Sequence, residues 1–300
     1  MRKSSGKIAQ DGTRQRSLRA LRNACFAAAG LLACFGTVYA FQKPFRQYHG
    51  VEYYSFETPP DADEKTEFQF ARLMFPGGWN DGYRGRFDGD FRLGLSLWTQ
   101  DYPRADRHFS QAVKRLTRIH VRSVEQPVNL DEDEEFDQPW LYAVQVGEWG
   151  LTAKQGKELR EYLLRGGFLV TDDFWGAEQW EIFRRTMDRV LPGHAITDIG
   201  ESDPVMHVLY DIEEKDRTFI PGSRHLRRGP NGSVAVIQPP DSEPAWRAMY
   251  DDRHRMVVAA NYNTDVGDAW EFADVPYYPE PMTALAYRYG INYVVYAMTH

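Results

Sequence analysis

The stretch between Trp140 and Trp175 restricts this chain to a small set of folds. "WLYAVQV" (140–146) is an almost unbroken apolar run, as expected of a strand buried on both faces. Thr152 followed by Gln155 is a capping box, so a helix is predicted from Ala153. Leu159, Tyr162 and Leu163 form its inner stripe, and Gly166-Gly167 ends it through a left-handed C-cap. "FLVTD" (168–172) is the next strand. Strand, capped helix, glycine stop and strand make a βαβ unit, with parallel strands and a right-handed crossover. Because the glycines precede the second strand, they are a helix stop and not a phosphate cradle.

The rest of the chain is read around that unit. "FQFARLMF" (68–75) alternates as a strand and stops at the turn cluster "PGGWNDG". "ADRHFSQAVKRLTRI" (105–119) sets Phe109, Val113 and Leu116 at helical spacing, and Ile182, Phe183, Met187, Val190 and Leu191 form another helical stripe. "VMHVLYDI" (205–212), "VAVIQ" (234–238) and "RMVVAANYN" (255–263) read as strands. The apolar end, 281–300, holds Arg288 and Asn292 and carries Met282, Leu285, Ala286 and Tyr289 at helical spacing. It is predicted as a buried core helix and not as a membrane span. Strands alternating with helices predict a three-layer α/β sandwich with a mostly parallel sheet.

Charge is divided unevenly. Residues 1–40 hold seven of the 36 Lys+Arg and one of the 43 Asp+Glu, leaving 29 basic against 42 acidic residues in the remainder. An acidic body lacks the clustered basic footprint that a nucleic-acid partner requires. The basic start leads into "ACFAAAGLLACFGTVYA" (24–40), which has no charged residue. It is expected to serve as a membrane anchor or signal segment over residues 1–41, with the body on the outer face of the cytoplasmic membrane, or periplasmic if cleavage follows Ala40. Residues 42–66 read as a linker and 67–300 as the α/β domain. Cys25 and Cys34 both lie in the apolar segment, so the body has no cysteine nucleophile, disulfide or thiolate metal site.

Open α/β sheets bind ligands at the carboxyl ends of their strands. That rule collects Glu148 and Trp149 after the first strand of the βαβ unit, and Asp172, Asp173, Phe174 and Trp175 at the end of the second. Asn261, Asn263, Asp265 and Asp268 follow the 255–263 strand, and Trp79, Asn80 and Asp81 join them if the first strand is a neighbour. Carboxylates, amides and tryptophans suit a saccharide; the same oxygens suit Ca²⁺ or Mg²⁺. The competing reading has one aspartate N-capping the next helix and the other accepting turn N–H groups. Adjacent carboxylates also require a compensating partner such as Arg84, Arg86 or a metal. "NYNTDVGDAW" lacks the glycine and glutamate of an EF-hand, and is either a ligand rim or a turn in which Gly267 supplies positive φ. No zincin-like histidine pair is present; His207 is expected in the core, and the basic loop 221–233 in solvent.

The blocks "FQFARLMFPGGWN", "LTAKQGKELREYLLRGGFLVTDDFWG", "SDPVMHVLYDI", "NYNTDVGDAWEFAD" and "YGINYVVYAMTH" together resemble the bacterial DUF4159 family, whose function is uncharacterised. The resemblance covers about residues 67–300. It implies a flavodoxin-like, class I glutamine amidotransferase-like sandwich. Amidotransferases of that class use a cysteine on a strand-to-helix turn, and this body has none, so that chemistry is excluded. No G-x-S-x-G elbow replaces it. The expectation is a non-catalytic envelope domain binding a saccharide, other ligand or protein at the carboxyl edge. The alternative is a saccharide hydrolase in which Asp172 or Glu148 acts as general acid or base, with a divalent cation in one version.

Overall fold

The computed structural model describes residues 43–78, 90–132 and 134–300. Its strands are β1 (Ala71–Met74), β2 (Gln126–Asn129), β3 (Trp140–Val144), β4 (Phe168–Phe174), β5 (Thr197–Asp198), β6 (Leu226–Arg228), β7 (Val234–Val236), β8 (Ala245–Tyr250) and β9 (Met256–Tyr262). Its α-helices are α1 (Arg104–Leu116), α2 (Ala153–Leu164), α3 (Gly176–Val190), α4 (Val266–Glu271) and α5 (Glu280–Thr299). Seven strands form one sheet in the order β2-β1-β3-β4-β9-β8-β5; β6 and β7 make a separate hairpin. The pairs from β2 across to β9 are parallel, and β8 and β5 close the far edge antiparallel.

Side-chain alternation divides the core. Trp140, Tyr142 and Val144 of β3, with Phe168 and Val170 of β4, face Phe109 and Val113 of α1, Trp270 of α4 and Tyr289 and Tyr293 of α5. Leu141, Ala143 and Leu169 face the other way, onto Leu159 and Leu163 of α2 and Phe183 and Met187 of α3. Helices therefore cover both faces of a mostly parallel sheet, the expected three layers. α5 is apolar because Leu285, Ala286, Tyr289 and Tyr293 are buried in the first of these cores. Among the described residues no helix is long and apolar enough to cross a membrane. The apolar segment 24–40 lies outside the described residues.

The capping box that anchored the reading is present. Gln155 N–H donates to Thr152 Oγ1 at 3.2 Å, and Thr152 N–H donates to Gln155 Oε1 at 3.1 Å. Thr152→Ala is expected to cost about 1 kcal/mol in urea unfolding. An unchanged midpoint would mean that packing alone holds the start of α2.

Three segments differ from expectation. Residues 205–212 are not a strand: Pro204–Met206 is a 3-10 turn capped by Asp203. There His207 is partly exposed, bonded to Asp211 Oδ1 and the Glu201 carbonyl, and is not a core residue. The segment read as a linker lies against the body from Pro44 onward. Tyr48 N–H donates to Tyr102 Oη, Val51 N–H donates to Thr99 Oγ1, and Ala62 and Thr66 are buried. The basic loop is tied down through Arg224, as described below.

Candidate functional site

The end of β4 is irregular. Thr171 pairs with Ala260 and Phe174 with Tyr262, so three steps on β4 oppose two on β9. The extra residue is a β-bulge, and Asp173 takes a left-handed φ of 49° within it. Phe174 consequently joins the same core as Leu169, and the two aspartates are released from strict alternation. Asp172 Oδ2 accepts from Tyr142 Oη at 3.0 Å and from the Gly267 N–H at 2.9 Å. Asp173 accepts from Gln145 Nε2, Trp175 Nε1 and, at 3.0 Å, Arg224 Nη2. Neither aspartate caps α3. Trp175 holds the N-cap position without a side-chain bond, and the Gly176 N–H donates instead to Asn263 Oδ1.

After β9 the chain turns into α4, whose N-cap is Asp265; its Oδ1 accepts the Asp268 N–H at 2.7 Å. Asp265, Asp268 and Glu271 recur every three residues, which sets them along one side of the helix. Gly267 is helical and does not supply positive φ; its role is close approach. A Cβ there would lie 2.5 Å from Asp101 Oδ2 and 2.6 Å from Tyr142 Oη. Asp268 Oδ2 accepts the Ser223 N–H, and Glu271 Oε1 accepts from Tyr53 Oη.

Asp101 comes from the turn after Leu97–Thr99, itself with a φ of 61°. Buried Arg72 on β1 fixes that turn: its Nη1 donates to the carbonyls of Trp98 and Gln100, each at 3.0 Å, while Nε and Nη2 grip Asp106. Glu52, from the N-terminal segment, accepts the Asp101 N–H at 2.8 Å and Gln100 Nε2 at 2.7 Å. Two sets of carboxylates result. Glu52, Asp101 and Glu271 can each place an oxygen within 4.8 Å of the others, and so can Asp101, Asp265 and Asp268. Asp101 belongs to both.

Among the described residues little opposes this charge. Arg224 pairs with Asp173, whereas Arg104 spends its guanidinium on the Glu271 carbonyl and Asp274. Burial, then the neighbouring carboxylates, pushes Asp101 and Asp265 well above the usual carboxylate range. Burial and then Asp173 raise Asp172 to about 7, and burial and then Glu52 raise Glu271 to about 9. Asp101 Oδ2, Asp172 Oδ1 and Glu271 Oε2 have no hydrogen-bond partner, on residues no more than 1 % exposed. Orphaned buried acceptors are costly, so each needs a proton, a donor or a cation to satisfy it.

The structure thus brings Asp172, Asp173, Asp265 and Asp268 together at the carboxyl edge. Glu148, in the loop after β3, is tied instead to α3: its Oε1 accepts from Gln179 Nε2 at 3.0 Å. Asn261 Oδ1 accepts from Tyr293 Oη at 2.9 Å, and Asn263 joins Gly176 to the Glu243 carbonyl. The Trp175 ring is covered by Arg224 at 5.0 Å and by His225. Trp79, Asn80, Asp81, Arg84 and Arg86 lie outside the described residues. Glu52, Asp101, Glu271 and Arg224 are site residues that sequence reasoning missed. The three-residue spacing would have found Glu271; nothing local marks Glu52 or Asp101.

Fold and site together describe an α/β domain with an acidic carboxyl edge. Residues 91–298 match the family model described as "Domain of unknown function (DUF4159)", and the chain belongs to that family. The match begins after β1, the strand that carries Arg72. No curated protein matches the chain.

Proposed function

We propose that this chain is a non-catalytic binding domain that takes a polar, hydrogen-donating ligand at the acidic cluster on the carboxyl edge of its sheet. One observation carries the reading: three buried carboxylate oxygens without partners, on Asp101, Asp172 and Glu271. Hydroxyl-rich or amine-bearing ligands, saccharides among them, supply the donors such oxygens need. The basic start and the apolar segment 24–40 support export, with the body outside the cytoplasmic membrane. The parallel core β2-β1-β3-β4-β9 follows the 2-1-3-4-5 order of flavodoxin-like sheets, which supports that fold and its ligand edge.

The hydrolase alternative has support from Asp172, whose carboxyl titrates near neutrality as a general acid must. Glu148, the other carboxylate expected to serve it, is instead engaged with Gln179. Binding is therefore the preferred reading. Its test is a thermal-shift series in EDTA with a neutral disaccharide, an amino sugar and a polyamine. At least one probe should raise the melting temperature of the full chain, and Asp265→Asn/Asp268→Asn should abolish that response. If none of the three moves the wild-type curve, the reading is wrong.

A further inference from the structure

We propose that the acidic cluster holds two hard divalent cations side by side, bridged by the carboxylate of Asp101; this rests on the cluster being the ligand site. The geometry supplies two triads, Asp101–Asp265–Asp268 and Glu52–Asp101–Glu271, each with oxygens within 4.8 Å of one another. Asp101 is the shared member.

The carboxylates alone would not carry this. The independent observation is on the oxygens. Among the described residues, Asp101 Oδ2 and Glu271 Oε2, both on triad members, are buried without a partner, and so is Oδ1 of Asp172, which is outside both triads. Hydrogen bonds hold the opposite oxygens: Tyr53 Oη on Glu271 Oε1, the Gly267 N–H on Asp172 Oδ2 and Gln100 Nε2 on Asp101 Oδ1. One oxygen of each of these three carboxylates is thereby anchored and the other left open, the arrangement in which outer hydrogen bonds orient metal ligands; Glu52 accepts at both oxygens, from Gln100 and from the Asp101 N–H. Two glycines leave the necessary room. A Cβ on Gly267 would strike Asp101 Oδ2 at 2.5 Å, and one on Gly222 would strike Asp265 Oδ2 at 2.7 Å.

Charge decides the number of ions. The two triads contain five carboxylates, and among the described residues Arg224, the arginine paired at the site, is held by Asp173, outside both triads. With all five ionised by metal binding, one divalent cation leaves three negative charges and two leave one. The donor set is all oxygen, with no sulfur or imidazole in either triad, which selects Mg²⁺, Mn²⁺ or Ca²⁺ over softer metals. Glu52, the exposed member, lies where ions enter. Coordination positions the protein leaves open fall to water or to the donor atoms of a bound ligand, as in other two-metal sites.

The experiment is metal binding to the full chain after dialysis against EDTA, with Mn²⁺ as probe. Calorimetry should give two ions per chain, and the electron paramagnetic resonance spectrum at two equivalents should show an exchange-coupled pair. Glu271→Gln should reduce the count to one and remove the coupling. Asp101→Asn should weaken both sites at least tenfold; circular dichroism checks that it folds, and the wild-type count and Glu271→Gln stand if it does not. A wild-type count of one or none, or two uncoupled six-line signals, overturns the proposal. If the organic probes bind in EDTA while no cation does, the ligand reading survives and this one fails. If two cations bind and no organic probe does, the cation pair stands and the organic-ligand reading falls.

Discussion

Arg72→Met is expected to destabilise the domain by about 3–5 kcal/mol, among the largest losses available from one side chain. The guanidinium is fully buried on β1 and all its hydrogen bonds are internal: Asp106 takes Nε and Nη2, and the carbonyls of Trp98 and Gln100 take Nη1. Methionine fills most of the space but leaves the Asp106 carboxylate buried and unpaired. It also leaves two carbonyls unsatisfied in the turn that presents Asp101. Urea unfolding measures the loss. Arg72→Met/Asp106→Leu should recover most of the stability, because an apolar pair removes the stranded charge. It should not recover binding at the cluster, since the carbonyls of residues 98 and 100 stay unheld. A single mutant within about 0.5 kcal/mol of wild type would show that water reaches the pair, and would remove Arg72 from the account of how Asp101 is placed.

The second large effect is on pH. In EDTA, stability should fall as pH rises from about 6.5 to about 9. The sign follows from proton linkage. Asp172 titrates near 7 in the folded chain against 3.8 for a free carboxyl, and Glu271 near 9 against 4.5. Over this window the folded state therefore holds protons that the unfolded state has released, and stability declines with pH. Below about 6.5 His225 acts in the opposite direction. Burial, then Arg224, lowers it to about 4, so the unfolded state takes up a proton that the folded state refuses. That single proton offsets only part of the two or more held by the carboxyls, so stability should keep rising, on a shallower slope, as pH falls from 6.5 toward about 4.5, seen in urea midpoints across the range. Asp172→Asn should flatten the limb below about pH 7.5 and leave the part above it, which belongs to Glu271, because the amide carries no charge to bury. A stability that rises steadily from pH 6.5 to 9 would mean that these carboxyls are ionised and compensated without help.

Much of the frame was legible in the sequence. Local interactions wrote the βαβ unit: the Thr152–Gln155 box, the glycine stop and two doubly buried strands are each decided within a few residues. The failures share a cause as well. "VMHVLYDI" has the composition of a strand, but Pro204 and the Asp203 cap turn it into a 3-10 segment whose apolar residues Val205 and Met206 reach the core from a turn. Glu52 and Asp101 became site residues through long-range hydrogen bonds, and Arg224 through its reach to Asp173, 51 positions away. Such contacts depend on how distant segments meet, which neither period nor spacing records. The helical stripe of carboxylates at 265, 268 and 271 lies between these cases. It was readable as a face before it was known what the face looks at.

The bulge in β4 makes the function of this edge separable from its architecture by one codon. With Asp173 deleted, Thr171 and Phe174 would stand two steps apart, matching Ala260 and Tyr262 across the ladder, and Phe174 would keep its place in the core. The strand would then run straight and end with a single aspartate. A chain of that kind would be a folded relative without the second prong. Among family members, the presence or absence of that one inserted residue would sort those that hold the Arg224 loop against this edge from those that leave it unheld.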